Sequence, residues 1–154
     1  MFQKKITLLL LLVLPSCGYE AIHSKKNSIN NDFSVSELNF VGDRTVNLKI
    51  KEKINNYTQS KKDKDFTLRI SSTSEKIILA KNIAGDATSF KNTISINVEI
   101  LMSNKIKSNF IILESFNYNN TSNKFNLKKY EKEIKNNLAE VAYDKLIFKL
   151  SNIQ

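Results

Sequence analysis

The alternation of apolar and polar residues within the segment Phe90–Met102 most constrains the fold. Its apolar side holds Ile94, Ile96, Val98, Ile100 and Met102, and its polar side holds Thr93, Ser95, Asn97 and Glu99. A period of two is the side-chain period of a β-strand. Such a strand belongs to a sheet that buries one face in a core and presents the other, so we expect one apolar and one polar sheet face.

Three further segments are predicted as strands. Residues 66–79 begin with a clear alternation that later becomes uneven, and residues 34–41 have Leu38 and Phe40 on one side. Residues 107–118 place Phe110, Ile112 and Phe116 on one side. The turns at residues 82–88 and 103–104 are short. Short turns between consecutive long strands are typical of an antiparallel meander, which we expect for the last three strands.

Two segments have the apolar spacing of amphipathic helices. Residues 44–59 place on one side Val46, Ile50, Ile54 and Tyr57. Residues 127–151 place on one side Tyr130, Ile134, Leu138, Val141, Ala142, Leu146 and Leu150. Asp43 and Asn126 are the predicted N-caps, because short polar side chains accept hydrogen bonds from the free amides of a first helical turn.

The order of these elements is strand, helix, three strands, helix. A sheet with one apolar face and two helices with one apolar stripe each can bury both in a single interface. We therefore predict an α+β fold, a two-layer sandwich in which two helices pack on one face of a mainly antiparallel four-stranded sheet. The uncovered sheet face should be polar.

The N-terminal segment has the pattern of an export signal. Residues 1–5 are short and basic, and residues 6–14 are almost purely aliphatic. A run of this length is too short to cross a bilayer as a helix, which needs about 20 apolar residues. A basic stretch followed by a short apolar run and a small residue is typical of a secretory signal peptide.

The segment Leu14-Pro15-Ser16-Cys17 resembles the bacterial lipobox, and Cys17 is the only cysteine of the chain. A single cysteine forms no internal disulfide, so acylation explains its position better than redox or metal chemistry does. An ordinary signal peptide that ends near a cysteine is the alternative. We expect a signal peptide over residues 1–16, an anchor and tether over 17–33, and one domain over 34–154. Gly18 replaces the aspartate that commonly retains lipoproteins in the inner membrane, which favours the outer membrane.

Charge and composition restrict the function. The net charge of the 154-residue chain is +9, and removal of Lys4 and Lys5 with the signal peptide lowers it to +7. A positive protein in the envelope has phosphorylated lipids as anionic neighbours, whereas export argues against nucleic acid as a partner.

Residues that support common enzyme chemistry are scarce. The only histidine, His23, lies in the predicted tether, so the domain can form no Ser-His-Asp triad and no Cys/His zinc site. Three glycines are too few and too scattered for a phosphate-binding loop. We expect no enzyme activity, no metal and no cofactor, although two carboxylates that meet across strands would leave a hydrolase open.

An ordered set of motifs points to a family. It comprises Cys17-Gly18-Tyr19, Phe66–Ile70, Gly85–Phe90, Ser115–Asn119 and the helix Ala139–Leu150. With the lipobox and the element order, this set resembles the LPS-assembly lipoprotein family LptE. The resemblance implies a periplasm-facing outer-membrane lipoprotein that plugs the β-barrel LptD, assists its assembly and helps deliver lipopolysaccharide to the outer leaflet.

The resemblance also implies where lipopolysaccharide is contacted. In the family, basic residues near the turn between strands two and three and near the start of the last helix are implicated. Lys81 is the nearest base to the first place, and Lys124 and Lys128 are nearest to the second. Ordinary solvated lysines are the alternative for each. Two other functions stay open, an auxiliary lipoprotein of another envelope lipid transporter and a lipid-anchored hydrolase.

Overall fold

A computed structural model describes residues 32–59 and 61–153. Its elements are β1 (Phe33–Gly42), α1 (Arg44–Ile54), a 3-10 turn (Asn55–Tyr57), β2 (Lys64–Lys81), β3 (Ala87–Met102), β4 (Lys105–Asn119) and α2 (Lys124–Ser151). The predicted signal peptide, the lipidation site Cys17 and nearly all of the tether lie outside the described residues. Strand β1 begins within the predicted tether, at its last residue, Phe33.

The four strands form one sheet in the order β1-β2-β3-β4. Strands β2, β3 and β4 are antiparallel neighbours, as the short turns predict. Strand β1 pairs with β2 in parallel, because α1 returns the chain along the sheet before β2 begins. The predicted α+β sandwich is confirmed, and its mainly antiparallel sheet is mixed.

A bulge in β1 lets one strand present two sets of residues to the core. Phe33 and Val35 are buried, and Val35 lies opposite Phe66 of β2. The register then shifts between Val35 and Glu37, so that Leu38 comes opposite Leu68. One extra residue reverses the parity of a strand. Odd-numbered residues before the bulge and even-numbered residues after it therefore both face the helices.

Helix α1 packs its predicted stripe on the sheet, with Val46, Ile50 and Ile54 fully buried. Asp43 is its N-cap, as predicted, and accepts hydrogen bonds from the backbone amides of Thr45 and Val46. The α-helical part ends at Ile54 rather than at residue 59. The following 3-10 turn places Tyr57 against Phe33, with their rings stacked 5.0 Å apart.

Helix α2 begins three residues earlier than predicted. Asn123 is its N-cap and accepts hydrogen bonds from the amides of Phe125 and Asn126, so the prediction of Asn126 as the cap is wrong. Asn123 has the extended backbone of a cap residue, whereas Asn126 is already helical.

The buried stripe of α2 also differs from the prediction. Tyr130 and Val141 are exposed, because they lie on the flank of the helix beside the edge of β4. The buried residues are Leu127, Ile134, Leu138, Ala139, Ala142, Leu146, Ile147 and Leu150.

The sheet face away from the helices, here called the outer face, is less polar than predicted. Ile111 lies opposite Asn97 and Leu113 lies opposite Ser95, which places both apolar side chains on that face. They are 65% and 64% exposed, respectively. No described helix is long and apolar enough to cross a membrane.

Candidate functional site

Lys81 lies at one end of the sheet. It is the last residue of β2 and pairs with Ala87 at the start of β3. The turn between them is closed by the Asn82 amide, which donates to the Asp86 carbonyl at 2.9 Å, and Gly85 adopts a positive φ of 88°. This tight turn holds Lys81 at the rim of the molecule, which we call the hairpin end.

Lys124 and Lys128 lie at the same end. The Asn120 backbone amide donates to the Thr88 carbonyl at 2.8 Å, and the Asn120 side-chain amide donates to the Ala87 carbonyl at 2.7 Å. These bonds tie the end of β4 to the start of β3. Because α2 begins four residues after Asn120, its first turn lies close to the β2–β3 turn, and the structure brings the three predicted lysines to one end.

The electrostatics of the hairpin end favour an anion. Lys81, Lys124 and Lys128 are all exposed. No ion pair of these lysines with a carboxylate occurs within residues 32–59 and 61–153. The first turn of α2 contains no acidic residue, so the positive end of the helix dipole is not neutralised by a side chain there.

The hairpin end is far from the point where the tether joins the domain. Phe33 pairs with Lys64, so β1 begins beside the start of β2. Strand β2 has 18 residues and ends at Lys81. At a rise of about 3.3 Å per residue, Lys81 lies up to about 55 Å from Lys64, the residue that pairs with Phe33.

A polar cleft of about 360 Å³ opens between the helices and the inner sheet face. It is lined by Thr45, Ser74, Glu75, Lys76, Asn92, Glu131, Lys132 and Lys135. Lys135 Nζ lies 3.0 Å from Asp43 Oδ2 on one side, and Lys76 Nζ lies 2.5 Å from Glu131 Oε1 on the other. Two ion pairs therefore flank the cleft.

The pKa values of two groups beside the cleft, Asp43 and Tyr118, are shifted. Burial would raise the pKa of Asp43, but hydrogen bonds from Ser74 and the Val46 amide, together with Lys135, lower it to about 2. Burial raises the pKa of Tyr118, and its hydrogen bond to Glu131 at 2.9 Å adds to the increase. At neutral pH the Asp43 carboxylate is thus charged and the Tyr118 hydroxyl is a hydrogen-bond donor.

An apolar groove of about 210 Å³ runs between the edge of β4 and α2. It is lined by Phe116, Tyr130, Ile134, Asn137, Leu138 and Val141. Tyr118 lies near both surfaces, because its hydroxyl reaches Glu131 of the cleft while its ring meets Tyr130 edge-on with centroids 6.0 Å apart.

The acidic residues of the described region mostly have structural partners. Asp65 accepts from the Ser34 hydroxyl, Glu99 pairs with Arg69, and Glu114 pairs with Lys145. Within residues 32–59 and 61–153, no group of three or more His, Cys, Asp or Glu side chains is arranged to hold a metal ion. His23 and Cys17 lie outside the described region.

Sequence reasoning missed the polar cleft. Its floor is formed by Asn92 and Ser74, which stand at core positions of β3 and β2. Asn92 lies two residues from Phe90 and two from Ile94, on the same strand face, and is itself buried. A polar residue within an apolar alternation was the available signal.

The fold of this protein is similar to folds in solved structures, although its sequence matches no known family. The sequence matches no protein-family model and no curated protein sequence at a significant level. The structure resembles rare lipoprotein B of Shewanella oneidensis with a TM-score of 0.55 and 12% identity, over 75% of this chain and 97% of that one.

Two further solved structures are similar. A minor lipoprotein of Acinetobacter baumannii has a TM-score of 0.57 and 12% identity, over 75% of this chain and 90% of that one. An uncharacterized lipoprotein B of Nitrosomonas europaea has a TM-score of 0.53 and 13% identity, over 78% of this chain and 85% of that one. The chain therefore shares the fold of these bacterial lipoproteins.

Proposed function

We propose that this protein is an outer-membrane lipoprotein that occupies the lumen of the lipopolysaccharide-translocating β-barrel LptD, assists the assembly of that barrel and helps deliver lipopolysaccharide to the outer leaflet. The observation that best supports the proposal is the collection of Lys81, Lys124 and Lys128 at the end of the domain farthest from the tether. The shared fold with bacterial lipoproteins and the lipobox resemblance at Cys17 agree with it.

The dimensions of the domain suit this role. Lipid on Cys17 would hold one end of the chain at the membrane. The long strand β2 then carries the hairpin end about 55 Å from the start of the domain, a span greater than the roughly 30 Å hydrocarbon core of a bilayer. A rigid sheet of this length can reach through the lumen of a large barrel.

The surface chemistry also fits a barrel interior. Most residues of the outer sheet face are polar or charged, including Arg69, Ser71, Asn97 and Glu99. Barrel lumens are polar, so the polar part of this face can lie against them.

At the hairpin end, lysine provides the interaction with lipopolysaccharide. Its ammonium group acts as a point charge for phosphates and has three donors. The uncompensated start of α2 adds a positive partial charge beside Lys124. Phosphorylated sugars are the anionic part of lipopolysaccharide that this arrangement attracts.

Charge reversal tests lipopolysaccharide binding. We expect the triple change Lys81→Glu, Lys124→Glu and Lys128→Glu in the full chain to weaken lipopolysaccharide binding strongly at low salt. The loss should shrink as salt rises, because screening shortens to about 8 Å near physiological ionic strength. The matched control reverses three exposed lysines elsewhere, Lys51, Lys105 and Lys107. Equal weakening in both triple variants would mean that only total charge matters.

Co-purification tests the barrel partner. We expect the lipidated full chain to recover a large outer-membrane barrel from solubilised membranes, and the lysine triple variant to recover it equally well, because barrel contact rests on a wider surface. Recovery of no barrel with the unchanged protein would reject the LptD assignment and favour an auxiliary role in another envelope lipid transporter.

A further inference from the structure

Asn92 is the unusual residue of the polar cleft. Its side chain is only 5% exposed, although it lines the cleft floor beside Ser74. Within residues 32–59 and 61–153, no protein group forms a hydrogen bond with its amide. Within residues 32–59 and 61–153, the one fully enclosed side-chain nitrogen or oxygen without a partner is Oδ1 of Asn120, so the Asn92 amide is still open to the cleft. Because polar groups in the interior are normally hydrogen-bonded, the Asn92 amide has to find its partners in the cleft.

The charged groups around Asn92 are engaged in ion pairs that use only some of their hydrogen-bond donors and acceptors. The Lys135 ammonium is held by Asp43, and the Lys76 ammonium is held by Glu131. An ammonium has three donors and a carboxylate has several acceptor positions, so each pair retains both donors and acceptors. The cleft therefore offers paired hydrogen-bonding groups on both sides of a free amide.

The charges of the cleft balance. Its positive residues are Lys76, Lys132 and Lys135, and its negative residues are Glu75, Glu131 and the adjoining Asp43. A balanced set gives no strong field for an anion or a cation. An apolar ligand is also disfavoured, because all eight residues that line the cleft are polar or charged.

We propose that the polar cleft binds one neutral sugar residue through the side-chain amide of Asn92 and the flanking Lys–Glu and Lys–Asp pairs. Each sugar hydroxyl both donates and accepts, which matches an amide and ion pairs with unused donors and acceptors. The volume of about 360 Å³ lies at the low end of the roughly 300–1,000 Å³ range of ligand pockets, which suits a single ring.

The polar cleft contains none of the three lysines of the hairpin end, and its ligand is uncharged whereas theirs is anionic. Two sources could present such a ring, namely a free glycan and the headgroup of a glycolipid. The shared chemistry is a neutral, hydroxyl-rich ring, and the experiment below separates the sources.

The test uses the full chain in phospholipid nanodiscs and methyl glucoside as the probe, observed by saturation-transfer NMR. We expect saturable binding that weakens at least about tenfold in Asn92→Leu, because leucine has the same branched shape but leaves the sugar hydroxyls unpaired. The matched control is Asn97→Leu, the same change on the outer face of the same strand, which should bind as the unchanged protein does. Circular dichroism melts confirm that both variants fold.

Two added arms complete the test. Doping the nanodiscs with monoglucosyl diacylglycerol displaces the free probe if a glycolipid headgroup can reach the cleft, and leaves it bound if only free glycans can. Inorganic phosphate should not compete with methyl glucoside at constant ionic strength. Absence of saturable sugar binding, equal binding by Asn92→Leu, or competition by phosphate would each overturn the proposal. Because the lysine triple variant keeps the cleft, its sugar binding should be unchanged even if lipopolysaccharide binding fails.

Discussion

The ammonium of Lys135 lies 3.0 Å from the carboxylate of Asp43, which joins the middle of α2 to the N-terminus of α1. The same carboxylate caps α1 through the amides of Thr45 and Val46 and accepts a hydrogen bond from Ser74 of β2. One side chain thus connects both helices and the sheet.

Because of these contacts of Asp43, the free energy of unfolding depends on pH. The pKa of Asp43 is about 2 in the folded protein against an ordinary value of 3.8. A carboxylate whose pKa is lowered by folding stabilises the folded state at pH values above its pKa in the unfolded chain. That contribution is lost as the pH falls through its pKa in the folded protein. The difference corresponds to about 2 kcal/mol. We expect it to disappear between about pH 4 and pH 2.

The variant Asp43→Asn isolates this effect, because asparagine also caps helices but has no charge. In denaturant titrations followed by circular dichroism, the unchanged protein should exceed the variant by about 2 kcal/mol at pH 5, and the gap should close near pH 2. A gap that stays constant over this range would contradict the assigned role of the Asp43 charge.

Replacement of Gly42 by a residue with a side chain should destabilise the fold through its backbone. It has a φ of +99°, and a β-carbon there would stand 1.9 Å from the Ser72 carbonyl oxygen. We expect Gly42→Ala to lower the free energy of unfolding by at least about 3 kcal/mol, since the clash is with backbone and adds to the conformational strain. Gly85→Ala is the control, because its β-carbon would meet nothing within 4 Å. It should cost only about 1–2 kcal/mol, and equal losses would refute the steric argument.

Val98 tests the assignment of the core face. It is fully buried at the centre of β3, so Val98→Asp places an unpaired carboxylate in the core. We expect a loss of roughly 3–5 kcal/mol, enough to unfold a typical domain at moderate temperature. The neighbouring residue Asn97 lies on the outer face, so Asn97→Asp should lower the free energy of unfolding by less than about 0.5 kcal/mol. Thermal melts of the two variants that coincide would contradict the assignment of Val98 to the buried face.

The anchor prediction concerns a residue outside the described region. Cys17→Ser should abolish labelling of the protein by a fatty-acid probe in cells and leave uncleaved precursor, since the chain has no other cysteine. Adding Ser24→Cys to this variant should not restore labelling, because a cysteine away from the lipobox is not modified. Labelling of the Cys17→Ser variant would remove the anchor assignment.

The fold could be predicted from the sequence because its clearest apolar patterns extend over whole strands and helices. The alternation around Val98 and the stripe around Ile50 determine which faces are buried, and short turns determine which strands are antiparallel. The parallel pairing of β1 could not be predicted in this way. It depends on the path of α1, which returns the chain along the sheet before β2 begins.

The sites show the same limit. The sequence predicts Lys81 near the turn between strands two and three and Lys124 near the start of the last helix. Their location at one end depends on hydrogen bonds from Asn120 to β3. The cleft around Asn92 combines residues of two strands and two helices that are distant in the chain. The cap of α2 was misplaced because Asn123 and Asn126 are equally suitable residue types, and only backbone conformation distinguishes them.

The parallel pairing of β1 also affects the order in which the protein assembles. Strands β2, β3 and β4 are joined by short turns, so their pairing closes small loops at little entropic cost. Pairing of β1 with β2 must wait until the intervening α1 segment is compact, because it closes a longer loop. We therefore expect amide hydrogens of β1 to become protected after those of β3 during refolding, and to exchange first from the native state. An emerging chain would complete its sheet by adding the strand that was synthesised first.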